Sequence, residues 1–316
     1  MANETTTTSA NDIVNATLVQ PVLIAALTEQ PGLWRFAREF NLTGQPTSAA
    51  IIPTETSWWG SANDDGAGVD TEFNGTEGTD LSNTQVATGG VTITPAEYGV
   101  AIEITDNVSE DSAIDLFMTV EQRMLHVISL AMEDDFLALL ASLSNSVGAS
   151  GTDLTIANLV AAQQGLRVRG ANADAVVYIL DNQQALDAES ALQSTNAAAA
   201  VFALSADRLL GYAPTVDNGM SANRQIMSFR NYPVFATGMT DTANTAADVV
   251  GACLCPSTAY NDASGATTFG MAWKRLPRLE TDRIIVGRST QIVMTARVGF
   301  AELQDGSGTA IITDAP

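Results

Sequence analysis

Between Arg38 and Arg123 the chain carries no positive charge, while 15 carboxylates accumulate there. The middle of this stretch, Gly60–Gly90, holds seven glycines and six acids against four sizeable apolar residues, Val69, Phe73, Leu81 and Val86. Strand-like runs flank it: Ala49–Thr54 before, then Val91–Thr94 and Tyr98–Thr105 after. The pattern predicts a long two-stranded excursion with a glycine-rich tip. A lone hairpin is marginal in water even when well formed, and this one also repels itself. It therefore needs a surface to lie against, and that surface must be basic.

The rest of the chain can build such a surface. Its 316 residues suffice for two medium domains or one elaborated one, and a hydrophobic content of 46% with mean hydropathy +0.10 marks an ordered globular protein. The net charge is −22, from 14 basic and 36 acidic residues, and Lys274 is the single lysine. Such a chain is repelled by nucleic acid and by anionic lipid, which argues against functions that track phosphates. The first basic residue is Arg35, so the basic start of a secretory signal is missing. The apolar run Val22–Leu27 is too short to span a bilayer, and the longer one near Met124–Met132 contains His126 and is bounded by Arg123 and Glu133. No membrane partner is expected.

Residues Met1–Asp12 read as a polar, threonine-rich terminus. Pro21 then suits the first turn of a short helix, Val22–Glu29, stopped by Pro31-Gly32. Leu33, Phe36 and Phe40 have the spacing of a second short helix, so the two pieces form an arm with apolar faces. From Ser109, read as an N-cap, one helix is expected to run to about Ser142. Asp115, Thr119, Gln122, His126, Ser129 and Glu133 form its polar stripe; Phe117, Val120, Met124, Ile128 and Ala131 form its apolar one. Mixed α/β structure follows: a helix over Thr155–Arg167, a buried strand over Ala175–Leu180 and a helix near Gln183–Gln193. Strands are expected near Gln225–Phe229, Tyr232–Thr237 and Val249–Leu254. The tail reads as strands over Arg283–Gly287, Gln291–Leu303 and Thr309–Thr313, with Asp305-Gly306 as a turn.

Catalytic chemistry finds little support. With His126 as the one histidine, Ser–His and Cys–His arrangements and histidine-rich metal sites lose their central group. Neither a Walker-type nor a dinucleotide-binding glycine pattern occurs. Cys253 and Cys255 alternate within an apolar run and read as two buried residues on one strand face. Ser61, Asn63, Asp65, Gly66 and Glu72 match some positions of a calcium-binding loop. The leading residue is serine, Gly68 replaces an apolar side chain and no helices flank the loop, so the match reads as fortuitous. No catalytic residue, metal or cofactor is expected.

Basic residues, by contrast, are concentrated. Six of the 14 fall between Lys274 and Arg297, opposed there only by Glu280 and Asp282. One reading is a set of scattered pairs within the chain. The other is a receiving surface for the acidic excursion of a neighbouring copy, since opposite patches steer association. On that reading the candidate interface residues are Lys274, Arg275, Arg278 and Arg283 on one side. On the other stand Asp64, Asp65, Asp70 and Glu72, with Trp58 and Trp59. A protruding element that fits a distant patch of the same chain makes heterologous contacts, which generate rings or shells.

This order of parts resembles that of tailed-bacteriophage major capsid proteins, the Hong Kong ninety-seven type fold shared with encapsulins. The stretches that carry the likeness are ADAVVYILDNQQALDAESAL and STQIVMTARVGFAEL followed by DGSGTAIIT. The resemblance implies an α+β capsid fold: N-terminal arm at 1–45, E-loop at 46–105, and P domain with its spine helix at 106–144. An A domain at 145–273 and P-domain return strands at 274–316 would follow. It further implies a homo-oligomer of hexamers and pentamers forming an icosahedral head around double-stranded DNA, without sequence-specific DNA binding. Scaffolding, portal and decoration proteins are its expected partners, and assembly in the host cytoplasm its route into the virion. An encapsulin-like compartment is the alternative. Some members of the family cross-link through an E-loop lysine; this segment has none, so that bond is not expected here.

Overall fold

In the computed structural model, residues 31–57, 87–111, 116–171, 176–194, 225–230, 232–243, 247–256 and 267–314 are described. The expected helix Val22–Glu29 and the middle of the acidic segment lie outside them.

A four-stranded sheet forms one layer. Its strands are β1 (Arg38–Asn41), β4 (Ala96–Thr105), β11 (Phe269–Ile284) and β12 (Ser289–Glu302), in the order β1-β11-β12-β4. The two long central strands form one antiparallel hairpin, and β1 adds to its edge in parallel. Strand β12 alternates: Ile292, Met294, Ala296 and Val298 turn inward and are buried, while Val293, Thr295 and Arg297 are only partly covered. That alternation is the signature of a sheet with one packed face.

Across the packed face lies α2 (Leu116–Ala138), 23 residues long, continued by a 3-10 turn at Leu139–Ser142. It is preceded by the short α1 (Asp106–Asp111). Met124, Ile128, Met132 and Phe136 descend α2 at steps of four and are all at least 98% buried. Phe136 meets Phe269 edge-on, with ring centroids 5.6 Å apart, and Phe300 at 6.1 Å. The Tyr98 hydroxyl on β4 donates to the Asp135 carboxylate, tying sheet to helix.

A seven-stranded sheet forms the second layer. In chain order its strands are β5 (Ser146–Gly148), β6 (Val177–Asp181), β7 (Gln225–Phe229), β8 (Tyr232–Thr237), β9 (Thr242–Ala243), β10 (Asp248–Leu254) and β13 (Gly308–Asp314). The path is β5-β13-β10-β6-β8-β7, with β9 paired to β10. Strands β6 and β10 are buried along their whole length. One face, with Val177, Ile179, Val250 and Ala252, joins the core under α2. The other, with Tyr178, Leu180, Cys253 and Cys255, is covered by α3 (Ile156–Val168) and also borders α4 (Asn182–Ser194). Thr155 caps α3 by accepting from the Asn158 amide at 3.3 Å. The fully buried Gln184 of α4 donates to Val249 O, Ile311 O and Thr313 Oγ1 of two neighbouring strands. Gly251 makes room for it: a Cβ there would stand 2.3 Å from Gln184 Oε1.

The acidic segment begins and ends as an antiparallel ribbon of its own, β2 (Ala50–Ser57) with β3 (Ala87–Ile93). Its base approaches the four-stranded sheet where Gly299 lets the chain cross; a Cβ there would lie 2.6 Å from Thr94 O.

Several local expectations change. Leu33–Phe36 makes one 3-10 turn, and the chain then extends as β1, because pairing with Gly270–Trp273 overrides the helical spacing. Ser109 lies inside α1 and does not cap the long helix. Residues Ile285–Arg288 form the turn of the β11–β12 hairpin, with Arg288 at φ 48°, so the expected strand Arg283–Gly287 is split. Of the tail strands, β12 joins the four-stranded sheet and β13 the seven-stranded one. Truncating Phe136 to alanine should cost about 3–5 kcal/mol, read as a lowered urea midpoint with the slope unchanged.

Candidate functional site

The sequence-predicted cations gather on β11 and the turn beyond it. Strand alternation alone does not place them, because bulges interrupt the register between Trp273 and Arg275 and between Arg275 and Arg278. Bulges re-aim side chains, and here they accommodate Pro277, which cannot donate to a ladder.

Each of the four candidate cations has a partner within its own chain. The Lys274 ammonium donates to the Gln45 carbonyl, where the chain departs toward the ribbon. Arg275 meets the Glu97 carboxylate at 2.6 Å, just after the chain returns. Arg278 pairs with Glu280 at 3.1 Å; both side chains are largely exposed, so solvent screens the pair. Arg283 grips both oxygens of Asp106 at the start of α1, with Nη2 at 2.6 Å from Oδ2. This charge-assisted fork holds the Asp106 carboxyl below its ordinary range and the guanidinium above its own. Trp58, Trp59, Asp64, Asp65, Asp70 and Glu72 lie outside the described residues, as does the calcium-loop-like stretch Ser61–Glu72.

Three further residues of this region stand outside the candidate interface set, although Arg297 belongs to the cation cluster and Glu133 to the polar stripe read from the sequence. Arg297 on β12 donates to the Pro95 carbonyl at 3.4 Å, so the excursion's return point is held like its departure point. Glu97 stands opposite Arg297 in the β12–β4 register. Glu133 on α2 is fully buried and accepts from the Gly32 and Leu33 amides, the latter at 3.0 Å. That carboxylate fastens the end of the N-terminal segment to the long helix. A hint lay in the polar stripe of α2, which ends on Glu133 where the helix enters the core.

Among the described residues no catalytic constellation emerges. Among the described residues no group of three or more His, Cys, Asp or Glu side chains is placed to hold a metal. His126 sits half-buried on α2. Cys253 and Cys255 are buried in the core, and burial pushes the Cys255 thiol up to about 11, which makes it inert as a nucleophile. No described helix is long and apolar enough to cross a membrane.

No family model matches the sequence, and no curated protein is similar to it at a significant level. Solved structures match along nearly the whole chain. The capsid structure of the cyanophage P-SCSP1u shares 10% identity at a TM-score of 0.64, over 100% of this chain and 97% of that one. The capsid of a native GTA particle shares 15% at 0.63, over 97% and 99%. The mature capsid of bacteriophage PhiM1 shares 9% at 0.63, over 95% and 92%. The chain has the mixed α+β fold of phage capsid proteins, the Hong Kong ninety-seven type.

Because Arg283 depresses Asp106, the pair adds stability above the unfolded aspartate pKa, and this is lost as pH falls through the folded value. Arg283→Gln should raise the Asp106 carboxyl back toward the ordinary carboxylate range, followed by carboxyl NMR titration.

Proposed function

We propose that this chain is a major capsid protein, many copies of which build the icosahedral head that encloses the double-stranded DNA of a tailed bacteriophage. The observation that carries the reading is the full-length likeness to capsid structures, over 100% of this chain in one and 95% in another. A protein of this shape acts by contact between copies and has no reaction to catalyse.

In this reading residues 1–45 are the N-terminal arm and 46–105 the E-loop, begun by the β2–β3 ribbon. The P domain takes 106–144 with α2 as its spine, together with the return strands of 274–316; the A domain takes 145–273. Strand β13 then ties the two domains together, since it lies in the sheet of the A domain. The acidic E-loop, with Trp58, Trp59, Asp64, Asp65, Asp70 and Glu72, lies over an adjacent copy, toward Lys274, Arg275, Arg278 and Arg283. Arg278 suits this role best, its side chain being 69% exposed. Without a lysine in the loop, contact is held by charge, strand pairing and burial. A net charge of −22 keeps the wall from gripping DNA that must slide during filling and ejection. Scaffolding, portal and decoration proteins complete the particle.

The encapsulin-like alternative shares the fold but encloses protein. Recombinant chain, with scaffold supplied, should elute as large particles that appear as closed shells by negative-stain imaging. Nuclease-protected DNA in particles from infected cells supports the head reading, an enclosed enzyme supports the compartment, and a persistent monomer contradicts both.

A further inference from the structure

The base of the excursion holds more positive charge than it neutralises. Arg275 and Arg297 stand directly opposite each other in the β11–β12 register, and Arg297 stands opposite Glu97 in the β12–β4 register. One row across three strands thus carries two guanidinium groups and a single carboxylate. Like charges facing each other across a ladder repel, so the row needs more negative charge than it contains. Glu97 meets Arg275 at 2.6 Å, whereas Arg297 reaches, among the described residues, only the neutral carbonyl of Pro95, at 3.4 Å. The Nε atoms of both arginines are buried and lack a hydrogen-bond partner among the described residues. A guanidinium presents its donors as a planar fork suited to a carboxylate, and buried donors left unmet are costly.

We propose that Arg275 and Arg297 form a carboxylate-receiving site that a second copy of this chain completes, with Glu97 as the internal carboxylate that half-fills it in the free subunit. The inference rests on the shell reading and narrows it to one pair of residues. Charge identifies the occupant: with 36 acidic residues against 14 basic ones, a second copy offers carboxylates in excess. Access is open, because the Arg275 side chain is 39% exposed although its Nε is covered. Arg283 is a poorer receiver, since Asp106 already engages both of its terminal nitrogens.

The arrangement has a consequence for assembly. Glu97 competes with the incoming carboxylate, so it weakens association between free subunits. Arg297 also holds Pro95, so a carboxylate bound there bears on the angle at which the ribbon leaves the sheet. Removing Glu97 and removing Arg297 therefore act in opposite directions, which a merely structural ion pair would not do.

The test uses the full chain and light scattering to find the protein concentration at which assembly begins. Glu97→Gln should lower that threshold several-fold, and Arg297→Gln should raise it roughly tenfold or more. Both variants should keep the wild-type circular dichroism, and Arg297→Lys, which keeps the charge and loses the fork, should fall between. If Arg297→Gln fails to fold, Glu97→Gln alone decides, and an unchanged or higher threshold overturns the site. Thresholds that move together, or not at all, overturn it and leave the shell reading standing. Stabilisation of the wild type by sulfate, with normal assembly of Arg297→Gln, assigns the pair to a free ion and also overturns it. A wild-type chain that never assembles removes the shell reading and this site with it.

Discussion

The structure depends on the packing of α2 across the inner face of the four-stranded sheet. Phe136, buried between Phe269 and Phe300, sits where the helix, the β11–β12 hairpin and the seven-stranded sheet converge on one core. Because that core is continuous, the two sheets are not free to move as separate bodies. Glu133 extends the same constraint to the N-terminal segment by taking two backbone amides out of solvent. Close packing transmits strain instead of absorbing it.

Charge is laid out against this rigid frame. The basic residues of β11 and β12 hold both ends of the excursion: Lys274 at Gln45, Arg297 at Pro95 and Arg275 at Glu97. Within a single chain they orient the ribbon. In the proposed shell, the surplus charge in the same row is what would remain to bind a neighbour. An exposed ion pair contributes little to stability, so these contacts fit a role in geometry and association better than one in holding the fold.

The sequence made the secondary-structure order legible where periodicity was strong and local. The α3 and α4 helices and strands β6, β7, β8, β10, β12 and β13 lie within about two residues of their expected bounds, the usual margin for such boundaries. The long strand β11 was hidden, because Pro277 and two bulges break the alternation that marks a strand. Strand β1 was hidden for another reason: its parallel partner lies more than two hundred residues away, and local spacing favoured a helix. At the candidate site the concentration of cations was visible, but their partners were not. Which backbone carbonyl Lys274 meets, and that Arg275 faces Arg297, follow from register, which only the folded sheet fixes.

The central proposal is that the acidic excursion, which the β2–β3 ribbon begins and ends, lies over another copy. Hydrogen–deuterium exchange of the β2 and β3 amides, in free subunits and in assembled particles, tests it most directly. Fast exchange is expected over Ala50–Ser57 and Ala87–Ile93 in the free chain, with strong protection of the same amides after assembly. Equal exchange in the two states would contradict it.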